Sequence, residues 1–418
     1  MPVYVPRDQN VIQKIFQDHF SDFTEQYDDH YAKQYGKYRI IRIKETVERF
    51  NECGDYSKGI AQIKCTNPNC LHEYFRPFSC KSWYLCPSCN QKRIQLFAEH
   101  LSENLLLKLP HRQFVFTIPK LLRVYFKNDR TLFEEVSKII FGIVTDFYKE
   151  VTHKPLKTGL VVSHHTFGDM LRFNPHWHCI ILEGGIDEED SFHHIPIKDT
   201  SKLAEVFRRR VIKLFVEKDL LQKSFAMKLI SWKHSGFSVD NSISIPASSQ
   251  KARVNLSQYS VRHPVSLKKI FYVKENSTVI YRTKYNAYWG ENIKLFKAVD
   301  FIAELTMHIP PKHKHLIRYY GLYSSRSKGK ANKDGSLARF TYRPETSGDV
   351  QLVGSPDEYP ETVSNKASRQ SWARLIQKVR LIPGVCEANS LEASSLEASF
   401  LVVLANAKTT PGMPKMRP

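Results

Sequence analysis

Six of the eight cysteines fall between positions 53 and 89, and this clustering constrains the fold more than any other feature of the chain. The core spacing is Cys65-x4-Cys70, a 15-residue interval, then Cys86-Pro-Ser-Cys89. Two closely spaced cysteine pairs joined by such a loop match a structural zinc ribbon, in which four thiolates close a tetrahedron. The segment is too small to own a hydrophobic core, so metal binding supplies its folding free energy. A disulfide framework is the weaker alternative in a reducing compartment. Cys53 and Cys80 are left over, either to replace one of the four ligands or to sit as buried thiols. Four thiolates leave no open coordination position, so this zinc is expected to be structural. Lys64, Lys81, Lys92 and Arg93 suit a module lying on a phosphate backbone.

The 418 residues suit two or three domains. The net charge of +20 and pI near 9.5 attract polyanions, and aromatics spread among the basic segments favour nucleic acid over a membrane surface. No run of about 18 apolar residues is present, and MPVYVPRDQN lacks a signal-peptide core. The expectation is a cytoplasmic, nucleoid-associated protein with no membrane partner.

Helical patterns around Val11–Phe20 and Ile40–Phe50 place a helical segment at 1–50, and the zinc module occupies 51–109, ending in a helix over 91–109. Residues 110–323 mix strand-like runs (112–120, 157–169, 227–232, 268–273, 277–283) with helices at 131–151 and 201–222. Without regular βαβ alternation, this predicts an α+β fold with a mainly antiparallel sheet and flanking helices. Residues 324–418 read as a basic loop or linker, a short helix at 371–379 and a tail in which SLEAS occurs twice.

The chemistry centres on FNPHWHCIILEGG (173–185), a strand bounded by turn signals. Alternation puts His176 and His178 on one face, where two imidazoles can share a metal ion. A second such pair, His313 and His315, reads as a solvated basic loop. His165, on the expected neighbouring strand, is a third-ligand candidate, with His164 pointing away. Downstream, NLSQYSVRHPVSL (255–267) offers a short helix ending before Pro264, with Tyr259 and His263 at i and i+4 and with Arg253 and Arg262 beside the tyrosine. His263 is the other candidate for the third ligand.

These motifs resemble, in order, those of the HUH-class rolling-circle transposases of the insertion sequence 91 family. The resemblance runs from about Glu52 to Val379. It rests on CGDYSKGIAQIKC (53–65), FSCKSWYLCPSC (78–89), HHTFGDMLRFNPHWHCIILEGG (164–185), SWKHSGFSVD (231–240), LSQYSVRHPVSL (256–267) and AELTMHIPPKHKHLIRYYGLYSSRSKGK (303–330). It implies a small amino-terminal zinc ribbon, with Cys65, Cys70, Cys86 and Cys89 as ligands, followed by an antiparallel-sheet HUH nuclease domain. It assigns His176 and His178 to the catalytic metal and Tyr259 to the nucleophile. Asn255 stands where two-tyrosine members carry a second tyrosine, so the chain is similar to the single-tyrosine branch. After the 371–379 helix, Cys386 stands alone where relatives carry a Cys-Pro-x-Cys element.

The implied activity is cleavage and rejoining of single-stranded DNA through a 5′-phosphotyrosine, with Mg²⁺ or Mn²⁺ and no nucleotide cofactor. Phosphate-tracking candidates are Arg208, Arg209, Arg210, Arg253, Arg262, Lys312, Arg318 and Arg326. The rival reading of the same residues is a non-catalytic zinc-dependent nucleic-acid-binding protein. A third is a metal-dependent hydrolase that uses water.

Overall fold

A computed structural model describes residues 10–36, 39–67, 70, 72–287, 290–340 and 400–405. The helix expected at 371–379, the SLEAS repeats and Cys386 lie outside the described residues.

The chain opens on α1 (Val11–Glu25), capped by Asn10, whose side chain accepts from the Gln13 N–H. Ile12, Ile15, Phe16 and Phe23 form one apolar helix face. The short α2 (Ala32–Tyr35) leads to α3 (Arg39–Asn51), whose Phe50 meets Phe16 edge to face at 5.7 Å. The hairpin β1 (Ile60–Cys65) and β2 (Glu73–Pro77) precedes α4 (Pro87–Glu99). Cys86 caps α4 and Pro87 occupies its first turn, where a missing N–H costs nothing. One π-helical segment, His100–Leu105, extends α4.

The central sheet begins with β3 (His111–Thr117). α5 (Arg123–Asn128) and α6 (Leu132–Thr152) separate it from β4 (Gly159–Phe167) and β5 (Phe173–Leu182). A small hairpin follows, β6 (Gly184–Ile186) and β7 (Phe192–His194), then α7 (Thr200–Glu217) and α8 (Lys223–Ser231). β8 (Ser238–Asp240) and β9 (Ser244–Ile245) return to the sheet before α9 (Gln250–Tyr259). A separate three-stranded sheet comprises β10 (Ile270–Val273), β11 (Thr278–Asn286) and β12 (Glu291–Lys297). α10 (Ala298–Thr306), β13 (Ile317–Gly321) and α11 (Ser325–Asp334) follow, and β14 (Phe400–Ala405) pairs with β1.

The central order is β13-β4-β5-β3-β8, with β9 also on β3, and every pairing is antiparallel. The mainly antiparallel α+β architecture is therefore as the residue patterns predict. β4 is buried along its whole length because both sheet faces are covered. On one face Phe116, Trp177 and Ile181 pack with Phe133 and Val136 of α6 and Phe207 of α7. On the other, Val161, Ile180 and Leu182 pack with Leu101 and Leu105 of the α4 extension and Leu256 of α9.

Three differences from the sequence patterns have local causes. The run 227–232 is helical as far as Ser231, and only Trp232 is extended: Ala226 and Leu229, three apart, turn inward, while Met227 faces solvent. Residues 325–334 form a capped helix rather than a linker, started by the Ser324 hydroxyl on Ser327 N–H and tied down by Lys328 Nζ on the Asn104 carbonyl at 2.6 Å. The amino-terminal helices share the core of α10, and Tyr31 donates to Asp300 at 2.7 Å.

Candidate metal centre and nucleophile

The register of β4 against β5 builds the site. His165 pairs with His176 and Ser163 with His178, so all four side chains share the face covered by α9. Each of the three histidines offers a ring nitrogen within 4.8 Å of the others, and all three are buried. His164 takes the opposite face and stacks on Phe133 at 4.4 Å, as alternation requires.

Two rings have their tautomers set by backbone carbonyls, which only accept. His176 Nδ1 donates to the Asn174 carbonyl at 2.8 Å, leaving the Nε2 lone pair free. His165 Nε2 donates to the Ser260 carbonyl at 2.8 Å, and its Nδ1 is buried without a hydrogen-bond partner. His178 Nε2 is likewise buried and unpartnered. Burial holds all three rings neutral: His176 is pushed down to about 4, His178 to about 2, and His165 well below the usual histidine range. Neutral, buried, convergent nitrogens without protein partners are what a divalent ion requires.

Tyr259 ends α9 and meets His178 edge to face, ring centroids 5.2 Å apart, while remaining 40% exposed. The next residue anchors it: the Ser260 carbonyl accepts from Ser163 Oγ at 2.6 Å as well as from His165. One oxygen thus ties the tyrosine segment both to the strand and to a candidate ligand. Ser163 and this carbonyl carried no signal in the sequence. Arg262 lies over the Tyr259 ring at 4.6 Å and over Phe167 at 5.8 Å.

His263 does not join the cluster. α9 stops at Tyr259, so the i, i+4 relation is lost, and His263 turns its Nδ1 to Val265 and is held at about 4 by burial. Among the described residues it is His165 that lies with His176 and His178.

The thiols also group differently from the spacing. Cys53, Cys80, Cys86 and Cys89 converge, with Sγ separations of 3.7 Å (53 to 86), 3.8 Å (53 to 89) and 3.5 Å (80 to 89). With Zn–S bonds of about 2.3 Å, a tetrahedron has edges of about 3.8 Å, so these four fit one zinc ion. Cys65 and Cys70 lie at the β1–β2 hairpin, outside this group. The expected set is corrected at two positions. The turn after α3 brings Cys53 to the Cys80 loop, and linear spacing does not register that approach.

The basic candidates divide by burial. Arg253 is 3% exposed and donates to the Ala247 carbonyl at 2.9 Å. Arg208 is 9% exposed and donates to the Ile230 and Trp232 carbonyls at 2.8 and 3.0 Å. Both hold the fold and are withdrawn as phosphate contacts. Arg209, Arg210 and Arg318 pair with Glu205, Asp146 and Glu134 at 2.7, 2.6 and 2.7 Å. Lys312 and Arg326 are exposed. Among the described residues, no helix is long and apolar enough to cross a membrane.

Two family models and two relatives match this chain. The family model "Transposase zinc-binding domain" matches residues 15–118, which include the thiol cluster. The family model "Putative transposase" matches residues 159–331, which include the histidines and Tyr259. A transposase for insertion sequence element IS801 from Pseudomonas savastanoi pv. phaseolicola is 26% identical over 316 residues, covering 70% of this chain and 73% of the relative. The protein y4qJ of Sinorhizobium fredii, also described as a transposase, is 22% identical over 62% of this chain and 69% of its own length. No solved structure matches. With both family models in their places along the chain and a transposase matched over 73% of its own length, the chain belongs to the transposases of the insertion sequence 91 family.

Proposed function

We propose that the chain cleaves and rejoins single-stranded DNA through a 5′-phosphotyrosine at Tyr259, in rolling-circle-type transposition. His165, His176 and His178 would hold a divalent ion, Mg²⁺ or Mn²⁺. Cys53, Cys80, Cys86 and Cys89 would hold a structural zinc. One observation carries the reading: Tyr259, at the end of α9, meets His178, one of three buried, neutral, convergent histidines.

When bound, the ion supplies charge stabilisation at a non-bridging phosphate oxygen. The chain's own residues do the rest. Ser163 and His165, through the Ser260 carbonyl, fix the tyrosine segment against the triad. The Tyr259 hydroxyl attacks phosphorus: the Oη–P bond forms, the P–O3′ bond breaks, and the phenol proton passes to solvent as the 3′ oxygen gains one. Arg262 sets positive charge where the phosphate must lie. Attack by a 3′-OH on the phosphotyrosine reverses the sequence, so no nucleotide cofactor is needed. A phosphate between triad and tyrosine is hard to reach inside a duplex, which favours single strands.

The test uses the full chain, Mn²⁺ and labelled single strands from both flanks of its own gene. A denaturation-resistant protein–DNA band that needs both metal and Tyr259 is the expected result. Free DNA ends without an adduct would indicate a hydrolase. Binding without cleavage would indicate a nucleic-acid-binding protein.

A further inference from the structure

Gln113 stands beside His178 on β3, at a position that no sequence motif singles out. It is 3% exposed and lies two residues before Val115, the register partner of His178. Its Nε2 donates to His178 Nδ1 at 3.0 Å. A neutral ring that accepts at Nδ1 carries its proton on Nε2. With Nδ1 engaged by Gln113, Nε2 is the nitrogen left for a metal, and protonated it has no lone pair to give. In the same arrangement two buried polar atoms lack hydrogen-bond partners, His178 Nε2 and Gln113 Oε1.

Half a turn of the Gln113 amide removes the tautomer problem, and moves its NH2 group to the position where Oε1 has no partner. Oε1 then accepts from a proton on Nδ1, and the Nε2 lone pair is released toward His165 and His176. The two orientations have the same shape and differ only in where donor and acceptor lie. The other two rings have no such freedom, because Asn174 and Ser260 hold them with carbonyls that only accept. His178 alone is backed by a group that can present either polarity.

We infer that Gln113 is a positioning residue that selects the His178 tautomer, donating to Nδ1 without metal and accepting from Nδ1–H when the ion binds. This rests on the triad being a metal centre. The ring stays neutral throughout: one proton moves between its nitrogens as the amide turns. Partners behind metal-bound histidines typically change metal affinity by about 10- to 100-fold.

The experiment is a Mn²⁺ titration of the full chain, followed by the electron paramagnetic resonance of free Mn²⁺, with zinc content and circular dichroism confirming folding. Gln113→Leu is expected to weaken Mn²⁺ binding by about 10- to 100-fold. Gln113→Glu, a permanent acceptor, is expected to bind at least as tightly as the natural chain. Equal weakening by both, or no change in Gln113→Leu, overturns the inference. If His176→Ala and His178→Ala leave Mn²⁺ binding unaltered, the metal centre itself fails, a result distinct from failure of the Gln113 role.

Discussion

Arg262 lies over the ring of Tyr259, its guanidinium carbon 4.6 Å from the ring centroid. The two residues belong to one turn at the end of α9, and the Ser260 carbonyl pins that turn to β4. The exposed tyrosine is therefore held from three sides by a cation, an imidazole and the backbone. In the proposed role as nucleophile, a side chain so fixed would lose little freedom on meeting a phosphate.

Arg262→Ala should slow adduct formation by roughly 3- to 30-fold, the range of a cation–π contact of about 0.5–2 kcal/mol. Arg262→Lys should recover part of the rate, since charge returns without the planar group. Single-turnover adduct assays give the comparison, and equal rates for Arg262→Ala and the natural chain would remove Arg262 from the site.

Zinc analysis separates the two thiol assignments. Alanine at Cys53 or Cys80 should release zinc and loosen the start of α4, which Cys86 caps. Cys65→Ala should keep the metal. Chelation should also lower adduct formation, because the α4 extension supports α9 through Leu101, Leu105 and Leu256. Zinc retained in Cys53→Ala and lost in Cys65→Ala would restore the spacing-based set.

Acid should destabilise the fold through histidines away from the triad. Burial holds His111 at about 4, and His164 and His308 at about 3. Unfolded, each titrates near 6.5. Between about pH 6.5 and 4 the unfolded chain binds protons that the folded chain refuses. Stability is thus full above about 6.5 and falls with pH, by about 1.4 kcal/mol per unit for each such histidine. Denaturant melts at pH 7.5, 6 and 5 measure this; flat stability across the series would contradict it.

The basic residues should split in a salt titration of DNA binding. Lys312→Ala and Arg326→Ala should each reduce the slope of log affinity against log salt by about 1. Arg208→Ala and Arg253→Ala should leave the slope alone and lower thermal stability instead, by about 1–3 kcal/mol, as backbone carbonyls lose buried donors. A slope unchanged by Lys312→Ala and Arg326→Ala would put the phosphate contacts elsewhere.

Local pattern alone determined much of this protein. Period-two alternation put His176 and His178 on one face and sent His164 to the other. Helical period located α1, α3, α6 and α7. The run of motifs identified the family. These features depend on neighbours in sequence, so they are legible there. Tertiary structure decided the rest. Met227 to Ser231 became helical because Ala226 and Leu229 met the core, and Cys53 joined Cys80 because a turn carried it across the module. His165 rather than His263 lies beside His176 and His178 because β4 pairs with β5 in one particular register, while α9 stops one turn short of His263. Arg208 and Arg253 turned inward to backbone carbonyls that no linear spacing identifies. Gln113 owes its place to β3 pairing beside His178. Each of these outcomes depends on which distant segments are packed together. Burial and hydrogen-bond satisfaction choose among alternatives that the local pattern leaves equal.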